Sequence, residues 1–220
     1  RMDRDTTTRK GAHHRLVDQM SAREIDVLIG TQMIAKGHDF PAVTLVGVLN
    51  ADTALNLPDF RSAERVFSLL SQVAGRAGRG DRPGRVLIQT YAVDNYALDY
   101  VTRHDFRGFA ELELTQRQAL AYPPFGHLVN LVLSGNDAAR LKAAAEQLSV
   151  ELARAEADVE VLGPAPCLLA RLRNRHRMQI LLKAKQRDPL RREITLLSRL
   201  KKGLPPGVQL TVDIDPVDMF

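Results

Sequence analysis

Cysteine is almost absent from this chain: Cys167 is the single one in 220 residues. That excludes an internal disulfide and a multi-cysteine metal site within it, and it suits a reducing, cytoplasmic setting. A lone thiol of this kind is expected to be a small buried apolar side chain. No long uncharged apolar run occurs, so no membrane-spanning helix and no membrane partner are expected. No segment has the layout of a signal peptide, and neither an internal repeat nor a low-complexity stretch interrupts the chain. With 45% apolar and 26% charged residues, the composition is that of a soluble globular protein and not of a disordered one. The chain opens at Arg1 with charged residues 2–8 that read as strand or loop, and it is expected to continue a longer polypeptide.

What charge there is lies unevenly. The net value is +5, yet residues 171–202 hold twelve Lys or Arg against the two acids Asp188 and Glu193, so the remainder is net −5. Such a concentration is either a solvated helix face with a hairpin or a surface that meets phosphates.

The apolar pattern indicates two domains. Residues 9–23 have Leu16, Val17 and Met20 at helical spacing, and 25–29 form a short apolar run ending at Gly30, as a buried parallel strand would. Further runs at 43–49 and 86–90 flank a loop containing Asp52, Asn56, Pro58 and Asp59 and a long helical stretch over 62–79. Strands alternating with helices imply an α/β layer with a parallel sheet. Residues 94–120 read as one or two helices with Tyr96, Leu98, Val101, Phe106 and Phe109 on the apolar side, closed by Tyr122-Pro123-Pro124-Phe125-Gly126. Beyond it, strands are expected over 128–133, 159–162, 167–172, 178–183 and 208–214, with helices over 137–155 and 189–201. In the last strand Val208, Leu210, Val212 and Ile214 alternate with polar residues, the period of a half-buried sheet. The division that follows is 1–92, part of an α/β domain; 93–125, a helical connector; and 126–220, a small α+β domain.

The most informative segment is Gln72-Val73-Ala74-Gly75-Arg76-Ala77-Gly78-Arg79. On a continuous helix Gln72, Arg76 and Arg79 fall at i, i+4 and i+7 and present an amide and two guanidiniums on one face. Gly75 and Gly78 leave that face open to a bulky group, at roughly 0.8–1 kcal/mol each relative to alanine. The planar, permanently charged fork of arginine fits phosphate oxygens. A helix end with solvated arginines is the plainer reading of the same residues.

The segment resembles motif VI of superfamily 2 helicases, and Gly30-Thr31-Gln32-Met33-Ile34-Ala35-Lys36-Gly37-His38-Asp39-Phe40-Pro41 resembles their motif V. A closer resemblance covers nearly the whole chain. Asp3-Arg4-Asp5-Thr6, the motif V segment, Asp59-Phe60-Arg61-Ser62-Ala63-Glu64-Arg65, the motif VI segment, Tyr122-Pro123-Pro124 and Asp213-Ile214-Asp215-Pro216 look like the C-terminal portion of the PriA, or primosomal protein N′, family. The resemblance implies the latter part of a second RecA-like motor lobe, then a C-terminal domain that meets DNA and partners. It implies that Arg76 and Arg79, with Gln72, contact the γ-phosphate of ATP held by the other lobe. Gly37, Asp39 and Gly75 would lie against nucleotide, with Asp39 accepting from a ribose hydroxyl. Thr31 would bind the nucleic-acid backbone, and Lys36 would serve either phosphate.

In the family the activity is a 3′-to-5′ DNA helicase of replication restart at stalled forks and D-loops, with ATP and Mg²⁺ as cofactors and zinc in a part that this chain does not include. The partners implied are forked and single-stranded DNA, single-stranded DNA-binding protein and other primosome proteins. No Gly-x-x-x-x-Gly-Lys-Ser/Thr loop and no Asp-Glu box occur in the 220 residues, so this fragment alone should not hydrolyse ATP.

The basic region adds a separate nucleic-acid candidate. Arg171, Arg173, Arg175 and Arg177 alternate with Leu172, Asn174, His176 and Met178, so outside a turn at Asn174-Arg175 they are expected to share one strand face, extended by Lys183, Lys185, Arg187, Arg191 and Arg192. Such a face could hold DNA or the acidic tail of a protein. His13 and His14 lack matching ligands and read as a solvated pair. Tyr122 and Phe125 could stack on bases or pin a linker to a core. The rival functions are another superfamily 2 fork translocase, and a DNA- and partner-binding scaffold whose motor has lapsed.

Overall fold

A computed structural model describes residues 12–31, 40, 42–75 and 83–219. The chain forms two units, Arg1–Leu57 with Arg61–Phe109, and Pro58–Phe60 with Ala110–Phe220. The stretch 93–125, expected as a connector, is shared between them, because the division falls at Phe109/Ala110.

The first unit contains α1 (Ala12–Ser21), β1 (Leu45–Val48), α2 (Asp52–Leu55), α3 (Ser62–Ala74), β2 (Arg85–Ile88), α4 (Tyr96–Thr102) and the first turn of α5 (Phe106–Ala119). β1 and β2 pair in parallel, Leu45 opposite Arg85 through to Val48 opposite Ile88. Parallel neighbours need a long crossover, and α2 and α3 lie within it. Val66, Phe67 and Leu70 of α3 fall at helical spacing and are buried against Ala97, Leu98 and Val101 of α4 and Phe109 of α5. Val48 and Ile88 close that core from one face of the strand pair. On the other face Leu45 and Leu87 remain exposed.

Three expectations fail here. Residues 25–29 form no strand: Val27 is 71% and Ile29 64% exposed, and only Gly30 makes an isolated bridge. An apolar run becomes a buried parallel strand when neighbours cover both faces, and among the described residues no strand pairs along this one. Phe106 lies 69% exposed at the start of α5, although Phe109 three residues on is buried. The helix expected over 62–79 ends at Ala74.

The second unit follows β3 (His127–Gly135), α6 (Ala138–Ala155), β4 (Glu160–Leu172), β5 (Arg175–Ala184), α7 (Arg187–Leu200), a short 3₁₀ turn (Lys201–Gly203) and β6 (Gln209–Ile214). Its four strands lie in the order β4-β5-β3-β6, with every pair antiparallel. A β-α-β-β-α-β chain in this order is the ferredoxin-like split βαβ arrangement. Asp137 caps α6 by accepting the Arg140 N–H at 3.0 Å, and the main-chain bond from Arg140 holds its carboxyl below the usual range. Leu141, Ala145, Leu148 and Leu152 of α6, with Leu190 and Leu197 of α7, bury one face of the sheet through Val129, Leu131, Leu133, Ile180 and Leu182.

The two short strands expected at 159–162 and 167–172 are one long irregular strand, with register shifts between Leu162 and Ala165 and between Pro166 and Arg171. Gly163 at the first shift has φ +101, and a Cβ there would meet the Gln179 carbonyl at 3.0 Å, so the position requires glycine. The alternation read in β6 holds for its paired face, but only Leu210 is buried, while Val212 and Ile214 are 36% and 56% exposed. β6 is an edge strand, so its apolar face has a neighbour on one side only.

Candidate nucleotide and nucleic-acid sites

α3 leads into the arginine segment. Arg61 pairs with Glu64 in its first turn at 2.6 Å, and Ser62 Oγ donates to the Leu57 carbonyl at 2.7 Å. The far end is capped by Gly75, whose N–H donates to the Ser71 carbonyl at 3.0 Å. Gly75 thus caps a helix and carries no interior cost, while Arg76 and Arg79, expected to share a face with Gln72, lie outside the described residues. Gln72 is exposed in the last turn. Among the described residues, a Cβ on Gly75 would meet only the Ser71 and Gln72 carbonyls, at 3.5 and 3.7 Å. Glu64, Ser68, Ser71 and Gln72 line a shallow cavity of about 430 Å³ with Phe67 and Phe109. Thr31 is exposed. Arg76, Arg79, Lys36, Gly37 and Asp39, with the first eleven residues, lie outside the described residues.

Asp52 is the residue that sequence patterning does not single out. It follows β1 at the carboxyl ends of the two parallel strands, where ligands of open α/β sheets bind. Its carboxylate accepts from the Thr90 hydroxyl at 2.8 Å, from the Tyr91 N–H at 3.0 Å and from the Ala92 N–H at 3.1 Å. These bonds, the one from Tyr91 foremost, hold its pKa below the ordinary value. Asp52 thus ties the loop after β2 to the start of α2. The available signal is an acid placed immediately after an apolar strand.

In the second unit the basic residues have unequal roles. The tight turn between β4 and β5 is Arg173-Asn174, both with positive φ of 48° and 64°, not Asn174-Arg175 as expected. Two-residue hairpins demand that geometry because its twist matches the strands. Arg171 pairs opposite His176, and Leu172 opposite Arg175. Directly paired residues share a face, so Arg171 lies on the face opposite to Arg175 and Arg177, and the arginines do not form one stripe. Arg171 bonds the Asn174 side chain at the turn.

Arg175 donates to the Ser134 and Gly207 carbonyls at 2.9 and 3.1 Å, which makes it a hairpin anchor. Lys183 is paired with Glu160 at 2.8 Å, its side chain 12% exposed. Arg192 is held by Glu156 at 2.5 Å and Arg191 by Asp188 at 3.7 Å. Arg173 and Lys185 stay exposed. Arg177 is partly buried, and its charge opposes the rise that burial imposes on the Cys167 thiol.

Tyr122 takes the linker-pinning role and not that of an exposed base platform. Its ring stacks on Phe60 with centroids 5.4 Å apart and planes 2° from parallel. The Arg117 guanidinium lies 5.2 Å from the Phe60 ring, and the Lys183 ammonium 5.0 Å from the Tyr122 ring. Glu113 pairs with Arg117 at 2.9 Å as Glu160 does with Lys183, so the column ends in carboxylates at both sides. An aromatic pair contributes about 0.5–1.5 kcal/mol beyond area burial, and each cation roughly 0.5–1 kcal/mol more.

Residues 4–81 match the helicase conserved C-terminal domain, and residues 118–217 the primosomal protein N C-terminal domain. Fold and motifs together define a helicase C-terminal lobe segment joined to a ferredoxin-like α+β domain. Similarity extends along the whole chain: it is 43% identical to the replication restart protein PriA of Bacillus subtilis, covering 100% of this chain and 28% of that protein. The PriA of Synechocystis is also 43% identical, with 100% and 26% covered, and that of Chlamydia pneumoniae 37%, with 100% and 29%. The chain belongs to the PriA family, as its C-terminal portion. It spans just over a quarter of the length of these relatives.

Proposed function

We propose that the protein to which this chain contributes is an ATP-dependent 3′-to-5′ DNA helicase of replication restart, acting in the cytoplasm at stalled forks and D-loops and in primosome assembly. The observation that carries the reading is the Gln72-to-Arg79 segment, which begins in the last turn of α3 at the exposed Gln72. ATP and Mg²⁺ would be bound mainly by the first motor lobe, and this chain's part is to complete the nucleotide site. Two guanidiniums and an amide suit a polyphosphate: Arg76 and Arg79 would stabilise charge on the γ-phosphate, with Gln72 beside them and Gly37, Asp39 and Gly75 against nucleotide. When bound, the metal neutralises charge on the phosphates. Zinc belongs to the remainder of the protein.

Thr31 and Lys36 would hold the nucleic-acid backbone on the motor side. On the α+β domain the exposed Arg173 and Lys185, with Arg171 and Arg177, are the basic residues fitted to meet phosphates, while Arg175 and Lys183 have structural partners. The partners are forked and single-stranded DNA, single-stranded DNA-binding protein and other primosome proteins.

The test is DNA-stimulated ATP hydrolysis by the full-length protein and its Arg79→Ala variant, with fork binding measured in parallel. Loss of hydrolysis by about 10³-fold with binding retained is the outcome expected of an arginine finger. Fork binding without hydrolysis by either protein would replace this reading with that of a DNA- and partner-binding scaffold.

A further inference from the structure

We propose that the β4–β5 hairpin of the second unit grips unpaired DNA bases through Leu168, Leu169 and Leu172, an inference that rests on the DNA-binding reading of that domain above. These three leucines, within five residues of one another, are 43%, 53% and 46% exposed. Single exposed leucines need no explanation, but a cluster on one edge marks an interaction surface. The strand that carries them, β4, is an edge strand with a neighbour on one side only. No Asp or Glu occurs between Glu160 and Asp188, while Arg171 and Arg173 flank Leu172 and are both exposed.

Register explains why the leucines are left out of the sheet's packing. A step of five residues along β4, from Pro166 to Arg171, runs past a step of only two along β5, from Met178 to His176. The surplus chain has no partner in the ladder and leaves it as a bulge, a device that re-aims side chains at sheet edges. Leu168 and Leu169 lie in that bulge, and Leu172 lies beyond it at the mouth of the Arg173-Asn174 turn. The turn is fastened from both sides: Arg175 donates to the Ser134 and Gly207 carbonyls, and Arg171 bonds the Asn174 side chain. Little order therefore has to be imposed when a ligand binds.

The occupant follows from the shape and charge of this edge. A protein strand that added to β4 would need a continuous row of free main-chain groups, and the bulge interrupts that row. Single-stranded DNA alternates phosphates with flat, largely apolar base faces, and the run Arg171-Leu172-Arg173 offers both kinds of contact side by side. In a duplex the base faces are stacked on one another, and a leucine reaches them only at an end or a kinked step. The arginines thus supply attraction to any strand, and the leucines select the strand whose bases are unpaired.

The experiment uses the full-length protein and compares its affinity for an oligothymidine strand with that for an abasic strand of equal length, at several salt concentrations. The two strands carry the same phosphates and differ only in their bases. The parent should prefer the thymidine strand. Leu168→Ala combined with Leu169→Ala, and separately Leu172→Ala, should each narrow that preference by about three- to tenfold and leave the slope of log K against log salt unchanged. Leu172→Met, which keeps an apolar chain, should retain the preference. Arg173→Ala should do the reverse, weakening both strands alike and flattening the slope by about one. Hydrogen exchange locates the contact, because the amides of residues 167–172 should gain protection with the thymidine strand and not with the abasic one. A parent that binds both strands equally, or leucine variants that keep the parent's preference, overturn the base contact; the domain's DNA-binding reading survives if Arg173→Ala still flattens the slope. An Arg173→Ala variant indistinguishable from the parent overturns that reading too. Should the leucine variants instead lose affinity for an acidic, leucine-bearing peptide with strand preference intact, the edge is a protein-docking surface and the proposal falls.

Discussion

Glu193 is the most informative single position for the energetics of the second unit. It sits on α7 with no exposed surface, and neither carboxyl oxygen has a hydrogen-bond partner among the described residues. Burial pushes its pKa up from 4.5 to about 7, and the nearby Glu156 carboxylate adds to the rise. A carboxyl whose folded pKa exceeds its unfolded one favours folding most when protonated. Its contribution is therefore fully present below pH 4.5 and is lost as pH rises to about 7. At about 1.4 kcal/mol per pKa unit, the difference between those two values amounts to about 3 kcal/mol. Glu193→Gln removes the ionisation at nearly constant shape. At pH 8 it should stabilise the domain by up to about 3 kcal/mol relative to the parent, and at pH 4.5 the two should be close. Hydrogen exchange of the α6 and α7 amides as a function of urea reports this unit without interference from the other. A parent whose opening free energy is flat from pH 4.5 to 8, or a Gln variant less stable at pH 8, refutes the reasoning.

Within the hairpin, Arg173→Ala should weaken single-stranded DNA binding and flatten the slope of log K against log salt by about one, as for one lost phosphate contact. Arg175→Ala should instead act on stability, by roughly 1–2 kcal/mol for two carbonyls left without their donor, which urea unfolding of the second unit measures. Asp52→Ala should speed hydrogen exchange at Tyr91 and Ala92, whose amides it accepts. Because the Asp52 pKa is lowered from 3.8, its hold is present above that pH and fades as pH falls through the lower folded value, so acidification of the parent should release the same amides.

A feature of this fold is legible in the sequence when its signal is local. The ferredoxin-like unit can be read almost element by element, because each of its strands and helices has its own period and its boundaries fall at Gly, Pro or Asp caps. Helical spacing assigns Leu141, Ala145, Leu148 and Leu152 to one face of α6, and all four are buried. Pairing is not legible. Which arginines share a face follows from register, and a turn displaced by one residue, to Arg173-Asn174, puts Arg171 on the opposite side from Arg175 and Arg177. The end of α3 is hidden for a related reason: periodicity continues through Gly75, while Gly75 itself closes the helix. The aromatic column is the hardest case, since Phe60, Arg117, Tyr122 and Lys183 come from four segments, and the proline cluster beside Tyr122 suggests only a boundary. Yet the sequence does place Phe60 in the same conspicuous run, Asp59 to Arg65, that opens α3.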